Sequence, residues 1–404
     1  MLSSAVYDHG FSDCASIHVG SLASELANTN SVCAVGQFEN PLPPKKGLKI
    51  VKIRAPLSRW RSLYSESKPI LAAVHRAFVI LSLLHASFSA SIRFGCDVVY
   101  ARHGVPSLAA VVLARLKRTP LVLEINGLYS VEARSSQWPA FARHFAKLIE
   151  VFTLPFADSV VAVTDGLARE ISKYHLHPNA KIFVIPNGVD TDVFRPKDTL
   201  QSRRRCAIDP RSKVICFIGN FIAWQGLQTL IKCSVTVLAA VPNALFLLVG
   251  DGPLRASFER SASSLGVVDA FRFVGKVPHA EVPDYINSAD VCVAPFVSAR
   301  NRLIGLSPLK LYEYMACGKP IVASDVPGVG DLLTSHRCGL AVKPDDPLAL
   351  AQNIIHLLND EPLALEIGPR AMRVAVESFS WRAISNRIES VCNTVVLGRA
   401  SHAD

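Results

Sequence analysis

At 404 residues, half of them hydrophobic, the chain is too long for one core and too apolar to be disordered, so two buried cores are expected. The net charge is +10, and residues 1–186 supply +8 of it with 20 Lys and Arg against 12 Asp and Glu, so the first half is the basic half. Ten cysteines occur without a C-x-x-C pair, several of them inside apolar runs, which argues for buried free thiols in a reducing compartment and against a disulfide scaffold or cysteine zinc site.

Met1 to Gly10 has no basic start followed by an apolar stretch, so no secretory signal is visible and a cytoplasmic protein is the default. Met1 to Tyr7 is either a short opening strand or a truncated start; the loop after it is Phe11 to Ser16, and Ile17 to Leu26 is the helix that follows. Between Asn40 and Ser65 stand seven basic residues, Lys45, Lys46, Lys49, Lys52, Arg54, Arg59 and Arg61, and no acid. A basic loop over residues 45–61, beside an apolar helix from about Pro69, suits peripheral attachment to the anionic inner face of a membrane; it equally suits a solvated loop beside a core helix. The helix does not span a bilayer, because His75, Arg76 and His85 interrupt Pro69 to Phe88. Nucleic acid is not an expected partner, since the basic run lacks interleaved aromatics and belongs to no binding module.

Runs rich in Val, Ile and Leu then recur with helical segments between them: Val98–Ala101, Leu121–Ile125, Ser159–Val163, Lys181–Ile185, Val214–Ile218, Leu245–Val249, Phe271–Val274, Val291–Ala294 and Ile321–Ala323. Continuous apolar strands alternating with helices predict parallel sheets covered on both faces, a doubly wound α/β architecture whose ligands sit beyond the carboxyl ends of strands. Asn126, Gly219 and the loop before Ser307 fall there. Glu124 and Asn126 close the Leu121 strand as catalytic candidates, or as a salt-bridged acid beside a tight Asn126-Gly127 turn. Arg102 and His103, after the Val98 strand, are acceptor candidates that hold a phosphate or else pair with surface acids. Asp190-Thr191-Asp192 is the one Asp-x-Asp, and its loop setting is not that of a metal site.

Ser307 to Ser324 carries the densest signal. Ser307 suits an N-cap and Pro308 the first helical position, while Gly318 and Pro320 end the helix before the strand Ile321–Ala323. Such a helix start leaves backbone N–H groups beside a partial positive charge, where phosphate oxygens bind, and Lys310 adds a full charge. Glu313, about a turn and a half on, can accept hydrogen bonds from two neighbouring sugar hydroxyls, as in a ribose. The plain alternative is an amphipathic helix with both charges solvated.

In chain order, Asp97–Tyr100, Pro120–Gly127, Ala157–Glu170, Val184–Pro196, Phe217–Gly226, Leu245–Arg255, Phe273–Val277 and Ala289–Pro295 resemble the retaining glycosyltransferases of family 4 (glycosyl transferases group 1), which have the GT-B fold. The resemblance covers nearly the whole chain. It implies two Rossmann-like domains facing across a cleft: an acceptor-side domain over 1–187, a nucleotide-sugar domain over 188–374, and a last helix within 375–404 packing back on the first domain. It implies a sugar moved with retention from a nucleotide diphosphate donor to a carbohydrate or lipid-linked acceptor, in surface polysaccharide or glycolipid assembly, without cofactor or metal. The donor would contact Gly219, Asn220, Gln225, Ser307, Pro308, Leu309, Lys310 and Glu313, with its base against the backbone of Gly275, Lys276 and Val277. Lys310 joins Glu124 and Asn126 as a catalytic candidate.

Two departures stand out. The family has Arg and Lys where this chain has Asn220 and Gln225, and amides donate more weakly than charged groups, so Lys310, Arg300 or Arg302 has to compensate. The first of the family's two glutamates, eight residues before Glu313, is here Gly305. These departures keep two other readings open: a degenerate GT-B protein that binds nucleotide without transfer, and a GT-B nucleotide-sugar epimerase, against which the lack of acids across 300–312 argues.

Overall fold

The computed structural model describes residues 13–36, 45–52, 69–104, 107–131 and 140–400. The expected opening strand Met1–Tyr7, the start of the Phe11–Ser16 loop, and Arg54, Arg59 and Arg61 lie outside the described residues. The chain forms two compact units, one of Met1–Pro186 with Ile384–Asp404 and one of Asn187–Ala383.

The first unit runs α1 (Asp13–Leu26), β1 (Val32–Gly36), β2 (Leu48–Lys52), α2 (Pro69–Phe94), β3 (Val99–Arg102), α3 (Ser107–Lys117), β4 (Leu121–Ile125), α4 (Ala140–Thr153), β5 (Ser159–Ala162), α5 (Asp165–Ile171) and β6 (Lys181–Val184). Strands β3, β4, β5 and β6 lie side by side in that order, all parallel, and β1 pairs in parallel with β2. Every residue of β4 is buried, as a central strand covered on both faces requires. Thr164 caps α5, its hydroxyl accepting from the Leu167 N–H at 3.1 Å.

Part of the basic run is strand and not loop. Leu48-Lys49-Ile50-Val51-Lys52 pairs with Val32–Gly36, with Leu48 buried and Lys49 exposed. Its two lysines break the apolar run that would otherwise mark a strand. Lys45, at the entry to this strand, is already engaged by Ser24 (3.5 Å) and Glu25 (3.9 Å). The helix expected from Ile17 begins earlier, at Asp13.

The second unit runs α6 (Thr199–Arg205), β7 (Lys213–Ile218), α7 (Leu227–Ala240), β8 (Ala244–Val249), α8 (Arg255–Ser264), β9 (Phe271–Gly275), α9 (Val282–Asn287), β10 (Val291–Ala294), α10 (Ser298–Ile304), α11 (Leu309–Ala316), β11 (Ile321–Ser324), α12 (Gly330–Ser335), β12 (Leu340–Val342), α13 (Pro347–Asn359) and α14 (Glu361–Val374). A π-helical turn over Ala375–Phe379 leads into α15 (Trp381–Ala400), which from Ile384 onward belongs with the first unit. The sheet is parallel in the order β12-β11-β10-β7-β8-β9. Val214, Cys216 and Ile218 enter the core on one face of β7 while Ile215 and Phe217 enter the core on the other, so an unbroken apolar strand fills two cores at once.

This strand order reverses direction between β7 and β10, and crevices in such sheets open at the carboxyl ends of the strands flanking that point. The loops leaving β7 and β10 touch there. Gly226, with φ +74°, lies so close to the Pro295 carbonyl that a Cβ would come within 1.6 Å of it, and the Val297 N–H donates to the Trp224 carbonyl at 3.3 Å. Among the described residues no helix is long and apolar enough to cross a membrane.

Candidate active site

At the switch point of the second unit, Gly219 leaves β7 with φ +142°, a conformation that favours glycine. Its N–H donates to Val249, and Gly250 in turn donates to Gly275 at 2.9 Å, so three strand ends close against one another backbone to backbone. A Cβ on Gly250 would lie 2.0 Å from the Gly219 carbonyl. Only bare backbone fits this floor.

Lys310 occupies the space beside it. A Cβ on Gly219 would sit 2.6 Å from Lys310 Nζ. The lysine is 8% exposed; its ammonium stands 3.7 Å from the centroid of the Phe217 ring and 5.6 Å from that of Phe296, and donates to Gln225 Oε1 at 2.6 Å. A cation over two aromatic faces and bonded to an amide oxygen is offset for part of the water it has lost. Gln225, by giving its oxygen to Lys310, turns its NH2 end into the end that can donate elsewhere. Structure thus joins Gly219, Gln225 and Lys310. Asn220 and Lys276 stand exposed and Val277 is half-buried against the core, while Arg302 is exposed and the Arg300 side chain lies outside what is described.

The start of α11 differs from the expected one. Pro308, with φ −85° and ψ 119°, is the N-cap, and Leu309 opens the helix. No side chain caps it. Ser307 is not the cap because its hydroxyl is taken: it accepts the Asn187 N–H at 2.8 Å and meets the Tyr312 hydroxyl at 3.0 Å, while Asn187 Nδ2 donates to the Ser307 carbonyl at 2.8 Å. Ser307 thus tethers the approach to the helix, and the backbone of Leu309 and Lys310 forms its first turn. The helix is pinned beneath β7 by the Tyr314 hydroxyl, which accepts the Ile218 N–H at 2.7 Å. Gly318 adopts φ +66° past the last turn, as the sequence requires.

Glu313 is half-buried on this helix. His279 Nε2 stands 3.7 Å from Glu313 Oε1, and its ring packs edge-on to Phe194 at 5.1 Å. His279 escaped the sequence reading, although it follows Gly275-Lys276-Val277 by two residues. Arg255 escaped it too. Its Nη1 lies 3.4 Å from where a Gly275 Cβ would stand, Nη2 donates to the Phe273 carbonyl at 3.2 Å, and Nε to Glu259 at 2.8 Å, so a second cation borders the expected base site. A basic residue directly after Gly-Asp-Gly-Pro-Leu was the available signal.

Gly305 ends α10 with φ +70°, and a Cβ there would come 2.9 Å from the Pro327 carbonyl. The position is a glycine because the backbone turns left-handed against a neighbouring chain segment. Asp190, of the Asp-x-Asp, points its carboxylate at its own turn, accepting from the N–H groups of Asp192 (3.0 Å) and Val193 (3.1 Å).

In the first unit the ends of β3 and β4 build a separate cluster. Glu124 is 2% exposed and both of its oxygens are committed: His18 Nε2 lies 2.8 Å from Oε1, the Tyr100 hydroxyl donates to Oε2 at 2.6 Å, and Asn126 Nδ2 donates to Oε1. Burial pushes this carboxyl up, but the neighbouring His18, its hydrogen bond, the Arg102 charge and the Tyr100 hydroxyl outweigh it and bring Glu124 to about 2. Burial and the Glu124 charge raise Tyr100 well above the ordinary phenol value, so Tyr100 remains the donor. His18 was not anticipated, since nothing in the sequence ties α1 to β4.

Arg102 and His103 stand beside this cluster. Arg102 Nη1 and both ring nitrogens of His103 are covered and unpartnered, although His103 as a residue is half-buried, with Tyr129 6.0 Å away. Burial lowers His103 to about 4. Among the described residues neither forms an ion pair with a surface acid, and the Arg102 charge acts on the buried Glu124.

Two family models cover most of the chain. Residues 15–193 match "Glycosyltransferase Family 4" and residues 212–360 match "Glycosyl transferases group 1". The chain belongs to glycosyltransferase family 4. This family 4 chain is 28% identical over 244 residues to a D-inositol 3-phosphate glycosyltransferase of Thermobispora bispora, a match covering 58% of the chain and 55% of that relative, so it spans about half the relative's length. Its fold superposes on the sucrose-phosphate synthase of Thermosynechococcus elongatus with a TM-score of 0.77 at 20% identity, covering 98% of this chain and 100% of the other. HepE of Anabaena, solved in complex with UDP-glucose, superposes with a TM-score of 0.71 at 16% identity, covering 98% and 100%. The fold is the two-unit parallel α/β architecture of GT-B glycosyltransferases.

Proposed function

We propose that this family 4 chain moves a sugar from a nucleotide diphosphate donor to a carbohydrate or lipid-linked acceptor, with retention at the anomeric carbon and no metal, as a cytoplasmic step in surface polysaccharide or glycolipid assembly. The observation that carries the reading is Lys310: one buried cation held over Phe217, bonded to Gln225, at the bare Gly219 strand end and in the first turn of α11. Departure of a diphosphate builds negative charge, and preorganised donors in a partly dry site stabilise it most. Lys310, held in place by the Gln225 amide oxygen, and the first turn of α11 take up the phosphate oxygens. Glu313 accepts the ribose hydroxyls, and the backbone around Gly275 receives the base. The UDP-glucose seen in the similarly folded HepE structure supports a nucleotide sugar as donor.

On the acceptor side, Asn126 and the unpartnered polar groups of Arg102 and His103 meet the acceptor, and Glu124 holds Asn126. The T. bispora relative is named for a phosphorylated acceptor, which accords with the unpartnered Arg102 Nη1. A second reading, binding without transfer, is favoured by the exposed Asn220 and by Gln225 standing where family members have charged groups. Incubating the protein with UDP-, GDP- and ADP-sugars, with and without EDTA, and following sugar release or transfer decides between them. Donor turnover that disappears in Glu313→Ala upholds transfer, binding without turnover upholds the second reading, and the anomeric configuration of a product by NMR tests retention. Turnover abolished by EDTA would remove the metal-free part. Epimerised donor in the absence of acceptor would replace transfer by the epimerase reading.

A further inference from the structure

Helices α2, α3 and α4 carry an outer surface that neither the fold nor sugar transfer uses. Strands β3, β4 and β5 step across the sheet in one direction, so right-handed crossovers place α3 and α4 on the same face, and α2 packs against α3. The outside of this layer is apolar. Leu81 and Ile92 on α2 are 65% and 64% exposed, Leu116 on α3 is 66% and Phe152 on α4 is 58%. Among the described residues all five exposed phenylalanines lie on α2, on α4 or in the turn directly after α4. Surface apolar residues are ordinarily scattered, so concentration on one helical layer calls for a partner.

The charges on this layer have one sign. Lys117 Nζ sits 4.7 Å from the centroid of the Phe88 ring, and the Arg115 guanidinium 4.7 Å from that of Phe156, tying α3 to its neighbours on both sides. Neither α2 nor α3 contains an acid. The one acid of α4, Glu150, is fully buried, where it accepts the Ser130 N–H and the Tyr174 hydroxyl. Aromatic and aliphatic groups with cations at their edges and no exposed carboxylate on these helices match the boundary between anionic headgroups and acyl chains. A second copy of the chain would set these cations against their own kind.

We infer that the α2–α3–α4 layer docks the protein on an anionic lipid surface, lying on the bilayer without crossing it. This surface is separate from the basic stretch at residues 45–61, whose Lys45 is engaged by Glu25 and whose Leu48–Lys52 is strand.

The test is flotation of the full chain with vesicles of phosphatidylcholine alone or with one third phosphatidylglycerol, in parallel with light scattering. The protein is expected to float with the anionic vesicles only. Leu116→Asp with Phe152→Asp should leave it unbound at an unchanged melting temperature, and Arg115→Gln with Lys117→Gln should lower partitioning roughly 30-fold, since each base near an anionic surface contributes roughly a fivefold factor. Absence of flotation, flotation that survives the Asp pair, or a lipid-independent dimer dissolved by the Asp pair would each overturn the inference. No donor is present in this assay, so its failure leaves the transfer reading untouched.

Discussion

Lys310 and Gln225 act as one device, and a double-mutant cycle exposes it. Lys310→Met removes the buried cation and is expected to weaken diphosphate binding roughly 100-fold, in the range of a charged hydrogen bond lost from a partly buried site. Gln225→Leu leaves the cation but removes its 2.6 Å acceptor, and is expected to cost roughly 10-fold. Because the amide acts through the lysine, the double variant should bind no worse than Lys310→Met alone. Isothermal titration with UDP or GDP measures this, and full additivity would show that Gln225 contacts the donor independently. Glu313→Ala is expected to lose roughly 10- to 100-fold in nucleotide affinity, and to lose less for a diphosphate that carries no ribose. Equal losses for both ligands would contradict the ribose assignment. At the other cluster, His103 has a pKa lowered by burial from 6.5 to about 4. The unfolded chain therefore binds the proton first, and stability present above pH 6.5 falls as the pH drops towards 4. His103→Gln should flatten that stretch of a stability-against-pH curve, and an unchanged slope would remove His103 as its source.

The elements were legible in proportion to how continuously apolar they are. Strands β4 and β10 were bounded correctly by their Val, Ile and Leu runs alone, because a strand buried on both faces has no polar alternation to confuse it. Strand β2 was missed, since lysines at 49 and 52 within a basic run read as loop, and β12 is only Leu340–Val342. Helix α11 is legible from Pro308, Lys310, Glu313 and Gly318, but its first residue is read one position early, because a serine before a proline reads as a cap until Asn187 is seen to hold its hydroxyl. What the sequence could not convey were contacts between distant segments: His18 on Glu124, His279 beside Glu313, Lys310 on Gln225. Gly305 shows the same limit from the other side. It replaces a carboxylate of the family, and only its φ of +70° and the Pro327 carbonyl explain why restoring one is costly. Gly305→Glu should destabilise the protein by about 1–2 kcal/mol from the left-handed conformation alone, with the close carbonyl adding to it. Chemical denaturation checks this, and an unchanged midpoint would mean that the loop re-forms around the new side chain.

At the scale of the whole molecule, the two units are expected to respond to different agents. The acid-sensitive groups Glu124 and His103 both belong to the first unit, and the lysine and glutamate proposed to hold the donor both belong to the second. For Glu124, the folded value of about 2 lies below the ordinary 4.5, so its contribution is complete above pH 4.5 and is lost as the pH falls towards 2. With His103 acting between 6.5 and 4, acidification from neutrality weakens the first unit in two consecutive steps. A ligand that binds only folded protein stabilises the part that holds it, by an amount growing with ligand concentration. Each unit has its own buried core, so calorimetry is expected to show an acid-sensitive transition and a nucleotide-sensitive one. Lowering the pH from 7 to 4.5 should move the first downward, and saturating nucleoside diphosphate should move only the second upward. His103→Gln should reduce the acid shift without altering the nucleotide shift, and Glu313→Ala should do the reverse. A single transition moved by both agents in every variant would show that the two units unfold as one, and a nucleotide shift confined to the acid-sensitive transition would place the donor in the wrong unit.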